Sequence, residues 1–240
     1  MASLKELQQI IRQNDKERVP TLQSGMIAGH LCRPLSPVIS AWFIKKDVSP
    51  NKITLLMILF GVIGSFLFAV PNLYSKITGY ICFYLWFTMD LCDGEVAHVT
   101  KQFSKYGREM DYMAHLICHP LMNMAMWITF YEMGRYDNFI LTIAFIITIS
   151  IELVLRNFTA FNAYCVSKND HLSKSSNGYI RYFIRQSVLY PNFVLLFTPL
   201  IIIDYELSFS VWYVFLFYVL FMILFAVKTT WGYLRLFYNS

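Results

Sequence analysis

Long apolar segments separated by short polar ones constrain this sequence more than any other feature. Of the 240 residues, 57% are hydrophobic and only 15% are charged. Because a helix needs about 20 mostly apolar residues to cross a bilayer, the sequence contains six candidate spans. They are residues 52–70, 78–99, 109–133, 138–160, 187–203 and 209–232. The pattern predicts an all-α integral membrane protein with six transmembrane helices.

The region before the first span has a different character. Residues 1–33 are polar and mixed in charge, and they contain no apolar run that could act as a secretory signal. Residues 34–46 begin with "PLSPVISAWFI", which is too short to cross a bilayer. We interpret this stretch as an interfacial amphipathic helix on the membrane surface. The predicted organisation is a cytosolic N-terminal segment, this interfacial helix and a six-helix transmembrane domain at 47–240.

Lys and Arg residues are unevenly distributed between the predicted loops. If the N-terminus is cytosolic, most basic residues fall in cytosolic loops, whereas the opposite loops hold Lys76, Arg135 and the acidic segment "DYE" at 204–206. The positive-inside rule then places both termini in the cytosol. The net charge of the chain is +5. Its basic residues lie in short loops, where they suit anionic lipid head groups, and nucleic acid is not expected as a partner.

Ionisable residues lie where the second and third predicted spans should be in lipid. Asp90 and Asp93 share one face of the second helix, and Asp111 and His115 share one face of the third. A carboxylate in hydrocarbon costs about 2.5–3.5 kcal/mol, so these acids need a counter-charge. Carboxylate oxygens select hard ions such as Mg²⁺ or Mn²⁺, and two such ions form a clamp for phosphoryl chemistry. The spacing therefore indicates a divalent-metal site.

Two other interpretations of these acids stay open from spacing alone. The acids could pair with the basic residues of the connecting turn, Lys101, Lys105 and Arg108, in a solvated helix–loop–helix cap. They could also bind a cation carried by a small ion-coupled transporter. No repeated half of the sequence carries a matching pair of acids, which such a carrier would be expected to have.

The residues around the acids match a known signature. The segment Asp90-x-x-Asp93-Gly94-x-x-Ala97 is followed by Gly107-x-x-x-Asp111-x-x-x-His115, with eight residues between position 98 and Gly107. It resembles the signature of the CDP-alcohol phosphotransferases, or CDP-alcohol phosphatidyltransferases, written D-x-x-D-G-x-x-A-R-x8-G-x-x-x-D-x-x-x-D. Two positions differ, because His98 stands in place of the Arg and His115 in place of the fourth Asp.

The resemblance implies a membrane phosphotransferase of phospholipid or related glycolipid or polymer synthesis, often a homodimer. An acceptor hydroxyl attacks the β-phosphorus of a CDP-alcohol, and CMP leaves. The donor is either CDP-diacylglycerol or a small CDP-alcohol, and the acceptor is a small alcohol or a lipid or glycan hydroxyl. We expect a bacterial inner-membrane enzyme whose active site faces the cytosol. The alternative is a catalytically silent relative that acts as a membrane assembly protein.

The resemblance also implies roles for individual residues. Asp90, Asp93 and Asp111, with His115, would hold two Mg²⁺ or Mn²⁺ ions. Asp111 and His115 would be catalytic, and the imidazole can serve either as the base that deprotonates the acceptor or as a metal ligand. The residues that would border the CDP moiety are Asn51, Thr54, Gly94, Ala97, His98 and Ser104.

Two further ionisable residues inside the predicted spans are candidates for acceptor binding. His119 lies one helical turn after His115. It could extend the acceptor pocket, support the base or simply pack between helices. Arg156 lies near the predicted cytosolic end of the fourth span. Its guanidinium could hold a phosphate or carboxylate of the acceptor, or snorkel to the interface.

Overall fold

A computed structural model describes residues 3–18, 26–165 and 179–239, and every regular element within these ranges is a helix. The all-α prediction is confirmed. The helices in these ranges are α1 (Leu4–Arg18), α2 (Ile27–Cys32), α3 (Ser36–Lys45), α4 (Pro50–Ala69), α5 (Leu73–Thr100), α6 (Gly107–Met133), α7 (Asn138–Cys165), α8 (Tyr179–Val188), α9 (Tyr190–Leu207) and α10 (Trp212–Asn239). Helices α4 to α7, α9 and α10 overlap the six predicted spans, and α3 overlaps the predicted interfacial helix.

The helices that overlap the predicted spans are not equally apolar. By length and composition, three segments of the described chain can cross a membrane, namely Pro50–Ala69, Asn138–Phe158 and Trp212–Arg235. A fourth is obtained if Tyr182–Val188 and Tyr190–Leu207, which meet at 74°, form one broken span. The apolar helices make this an integral membrane protein. Six spans, an interfacial α3 and cytosolic termini stay predictions.

Local sequence signals set the ends of the helices that carry the site. Pro50 occupies the first turn of α4, where its missing N–H breaks no helical hydrogen bond. Asn72 caps α5 by accepting a hydrogen bond of 3.2 Å from the Ser75 N–H. Gly134 ends α6 with a φ of 63°, in the left-handed region that glycine adopts without strain.

Helices α4 and α5 approach closely because glycines lie on both facing surfaces. A Cβ atom added to Gly79 would lie 2.7 Å from the backbone nitrogen of Phe68 and 2.8 Å from the carbonyl oxygen of Gly64. One added to Gly64 would lie 2.8 Å from a ring carbon of Phe83. Small residues at such contacts are typical of membrane helices. This packing fixes α5, which carries Asp90, against α4.

Buried charges join the helices at the end of the bundle away from the acids. Lys76 is fully buried, and its Nζ donates to Thr129 Oγ1 over 3.0 Å and pairs with Glu132 Oε2 at 3.2 Å. Arg135 pairs with the buried Asp204 at 3.1 Å. The sequence placed Lys76 in a loop, but α5 begins before the predicted span and includes it, so its charge is neutralised inside the protein.

Helix α1 was not predicted, and it packs against α3. Its first turn is a capping box, in which the Ser3 N–H donates to Glu6 Oε2 over 2.8 Å and the Glu6 N–H donates to Ser3 Oγ over 3.2 Å. Ile11 is buried in a small apolar cluster with Ala41. The predicted N-terminal segment therefore contains helices, while its residues 19–25 lie outside the described ranges.

Candidate active site

The last turns of α5 and the first turns of α6 bring three potential metal ligands together. His115 Nε2 lies 3.2 Å from Asp90 Oδ1 and 3.3 Å from Asp111 Oδ1. The ligand atoms of the three side chains all lie within 4.8 Å of one another. Adjacent ligands of a six-coordinate ion with bonds of about 2.1 Å lie about 3 Å apart. The three side chains, called the metal cluster below, therefore fit a divalent cation.

Asp93 lies one turn after Asp90 and is held by α4. Its Oδ2 accepts a hydrogen bond of 2.8 Å from the hydroxyl of Thr54, which is itself buried. Asp93 does not belong to the three-residue metal cluster. The four predicted ligands thus divide into the cluster and one neighbouring carboxylate that faces the start of α4.

Several residues predicted to border CDP lie at this same end of the bundle. Asn51 Nδ2 donates to Ser104 Oγ over 3.4 Å, which joins the start of α4 to the turn between α5 and α6. Gly94, next to Asp93, faces open space, because a Cβ atom built there would meet no atom within 4 Å. A substrate group could therefore approach the α5 backbone at Gly94.

His98 stands near the end of α5, where the resembling signature has Arg. Its ring packs edge to face against Phe103 of the following turn, with the centroids 5.5 Å apart. The neighbouring Ala97 is partly buried. The imidazole is thus held against the α5–α6 turn, and its role toward the donor stays a prediction.

The α5–α6 turn bears on the alternative in which the acids form a solvated cap. Lys105 Nζ lies 5.3 Å from the centroid of the Tyr106 ring, in a cation–π contact. Asp90 Oδ1 and Asp111 Oδ1 lie 3.2 and 3.3 Å from His115 Nε2. The convergence of these three ligand atoms supports the metal cluster.

A second layer of polar side chains lies behind His115. His119 Nε2 lies 3.0 Å from His115 Nδ1, and His119 Nδ1 lies 2.6 Å from Glu152 Oε1 on α7. Arg156 Nε lies 3.4 Å from the same oxygen. Tyr190 of α9 stacks on His119, with ring centroids 3.8 Å apart, and donates to its carbonyl oxygen. His119 is fully buried, and these contacts favour support of His115 over contact with an acceptor.

A cavity of about 370 Å³ opens beside the metal cluster. All three cluster residues line it, as do the guanidinium-bearing residues Arg108 and Arg156. The lining also includes the apolar residues Leu155, Leu189 and Met222. This size and mixed lining are typical of small-molecule sites. Arg156, which was predicted to bind the acceptor, lines this cavity, whereas His119 is not among the lining residues. Acceptor binding by either residue stays a prediction.

Glu152 is the site residue that the sequence interpretation missed. It also lines the cavity, and it contacts both His119 and Arg156. An acid inside an apolar span is by itself a sign of function. Arg156 lies one helical turn later on the same face. It was a second sign that Glu152 belongs to the site, because oppositely charged side chains at this spacing contact each other.

The fold and the site together define a helical membrane protein with a carboxylate and imidazole cluster suited to a divalent cation. Residues 47–236 match the family model of CDP-alcohol phosphatidyltransferase. The match covers most of the chain, so the protein belongs to this family, and the resemblance is confirmed. The family transfers phosphate-containing groups from a CDP-alcohol to an alcohol acceptor, and its members use divalent metals. A search of curated proteins found no significant match.

Proposed function

We propose that the protein transfers a substituted phosphate group from a CDP-alcohol to an acceptor hydroxyl and releases CMP, in the synthesis of a phospholipid or related glycolipid or polymer. The observation that carries this proposal is the convergence of Asp90, Asp111 and His115 beside a cavity. Mg²⁺ or Mn²⁺ ions, two in our proposal, would be held there with the help of Asp93. When bound, they supply charge neutralisation at the diphosphate, the main requirement of phosphoryl transfer.

The donor would lie between the start of α4 and the end of α5. Asn51 and Ser104 are already joined across this region, and the hydrogen bond from Thr54 orients Asp93. The bare backbone at Gly94 admits the bulk of the CDP moiety. Ala97 and His98, one turn further along α5, complete the proposed border.

The acceptor would occupy the cavity beside the metal cluster. Arg108 and Arg156 line it and favour an acceptor that carries a phosphate or carboxylate. The acceptor oxygen bonds to the β-phosphorus, the bond from that phosphorus to the bridging oxygen breaks, and CMP leaves with the electron pair. Asp111 and His115 both line the cavity, and we assign removal of the hydroxyl proton to one of them.

The decisive experiment measures CMP release by the full chain purified in detergent. CDP-diacylglycerol, CDP-choline, CDP-ethanolamine and CDP-glycerol are tested with small and lipid acceptors, in Mg²⁺ or Mn²⁺. We expect metal-dependent CMP release with one donor, and a loss of about 100-fold or more in Asp93→Ala, because a proposed ligand of the cations that neutralise the transferring group is removed. Glu109→Gln, which removes an exposed charge from α6, is the matched control.

Three outcomes would contradict the proposal. CMP release by Asp93→Ala at the parent rate would show that the metal assignment is wrong. Nucleotide binding without turnover would indicate the silent relative, and metal-dependent ion flux without CMP release would indicate the transporter. The bacterial inner membrane, a cytosolic active site and a homodimer are further parts of the proposal, and protease protection and cross-linking in membranes would check them.

A further inference from the structure

A continuous line of side chains leads from the metal cluster through the buried His119 to two residues that line the cavity. It passes from His115 to His119 on α6, to Glu152 on α7, and ends at Arg156. The separations along it are 3.0, 2.6 and 3.4 Å. The proposed reaction does not need His119 or Glu152 to touch a substrate. Their close contacts therefore require another explanation.

The hydrogen positions along this line follow from the chemistry of the Glu152 carboxylate. An ionised carboxylate only accepts hydrogen bonds, so His119 Nδ1 carries the hydrogen that it donates to Glu152. In a neutral ring the other nitrogen, Nε2, is then an acceptor, and His115 Nδ1 donates to it. When the His115 ring is neutral, its Nε2 is then left with a lone pair. That nitrogen is the one that lies 3.2 and 3.3 Å from Asp90 and Asp111.

We propose that His119 and Glu152 are positioning residues that orient His115, with its Nε2 lone pair between Asp90 and Asp111, as a nitrogen ligand of the divalent cation. This inference rests on the proposed function, which places a cation in the metal cluster. Metal-binding imidazoles commonly donate their other N–H to a carboxylate, which fixes the ring and increases its basicity. Here the imidazole of His119 lies between His115 and the carboxylate of Glu152 on α7, and it extends that arrangement by one side chain.

Burial and packing support the assignment of His115 to the cation. Its side chain is 9% exposed, against 46% for Asp111, so Asp111 is the more open of the two groups to an entering hydroxyl. The stack of Tyr190 on His119 holds that ring, and with it the direction of the His115 ring. Arg156 supplies the counter-charge that Glu152 needs in a buried position.

The test measures Mn²⁺ binding to the detergent-solubilised full chain without any CDP-alcohol. Electron paramagnetic resonance gives the affinity, and spin-echo modulation of bound Mn²⁺ detects a nitrogen ligand. Glu152→Leu fills similar space but cannot accept from His119 Nδ1, so the hydrogen position on His119 and the direction of the His115 ring are no longer fixed. We expect about 10- to 100-fold weaker Mn²⁺ binding and loss of the nitrogen modulation, whereas Glu109→Gln keeps both.

A second pair of variants separates positioning from packing. His119→Gln can still accept from His115 and donate to Glu152, so it should keep most of the affinity and the nitrogen signal. His119→Leu fills similar space without polar atoms and should lose both. Thermal unfolding checks that each variant is folded.

The inference is overturned if Glu152→Leu binds Mn²⁺ like the parent with unchanged modulation, if His119→Gln and His119→Leu behave alike, or if the parent shows no nitrogen ligand. CMP release, measured separately on the parent, decides the proposed function independently of these results.

Discussion

At the scale of single residues, His115 belongs to the metal cluster and also contacts His119, the first of the two proposed positioning residues. Replacement by Ala removes a ligand and a proton acceptor, and we expect CMP release to fall by about 100-fold or more. His115→Asp restores a carboxylate that can bind the cation and accept a proton, so it should lose much less. Steady-state CMP release by the two variants, with metal affinity measured in parallel, checks this prediction. Equal losses would argue against both roles.

The sequence could predict only part of this site, because some of its contacts join residues that are far apart in the sequence. Asp90, Asp111 and His115 lie on two helices joined by a short turn, so helical spacing and the family signature were enough to bring them together. Glu152 belongs to another helix, 33 residues from His119. Its contact depends on how α6 and α7 pack, which no local pattern specifies.

At the scale of helices, the α4–α5 contact positions Asp90 and Asp93 relative to the residues of α4. We expect Gly79→Ala to destabilise the protein by about 1–3 kcal/mol, because the added methyl group would meet backbone atoms of α4 that cannot move away cheaply. Thermal unfolding in detergent measures the change. Gly232→Ala is the matched control, since a Cβ atom there meets nothing within 4 Å. A Gly79→Ala protein as stable as this control would show that the helices separate easily.

The positions of the long helices followed from the sequence more closely than their ends did. Apolar runs located α4, α7 and α10 because lipid-facing and buried surfaces are both apolar in a membrane helix. Helix α1 was missed although Ser3 and Glu6 have capping-box spacing, because its sequence is mostly polar and contains no long apolar run. The break at Leu189, between α8 and α9, was also missed. Pro191 favours a helix start at that point but does not by itself set a bend.

At the scale of the whole molecule, the two ends of the bundle handle buried charge differently. The far end neutralises Lys76 and Asp204 with partners supplied by the protein itself. The site end concentrates carboxylates from α5 and α6 around one imidazole. A bound cation would complete the neutralisation and join these two helices. Cation binding and global stability should therefore be linked.

We expect Mn²⁺ at about 100 times its Kd to stabilise the folded protein by about 2.7 kcal/mol, because the unfolded chain does not form the cluster. Thermal unfolding in detergent, with Mn²⁺ or with a chelator, measures the shift. Asp90→Asn removes one ligand, so the Mn²⁺ shift should largely disappear. In chelator the same variant should be at least as stable as the parent, because one repelling charge is gone. Glu109→Gln should keep the full shift, and an unchanged shift in Asp90→Asn would place the cation elsewhere.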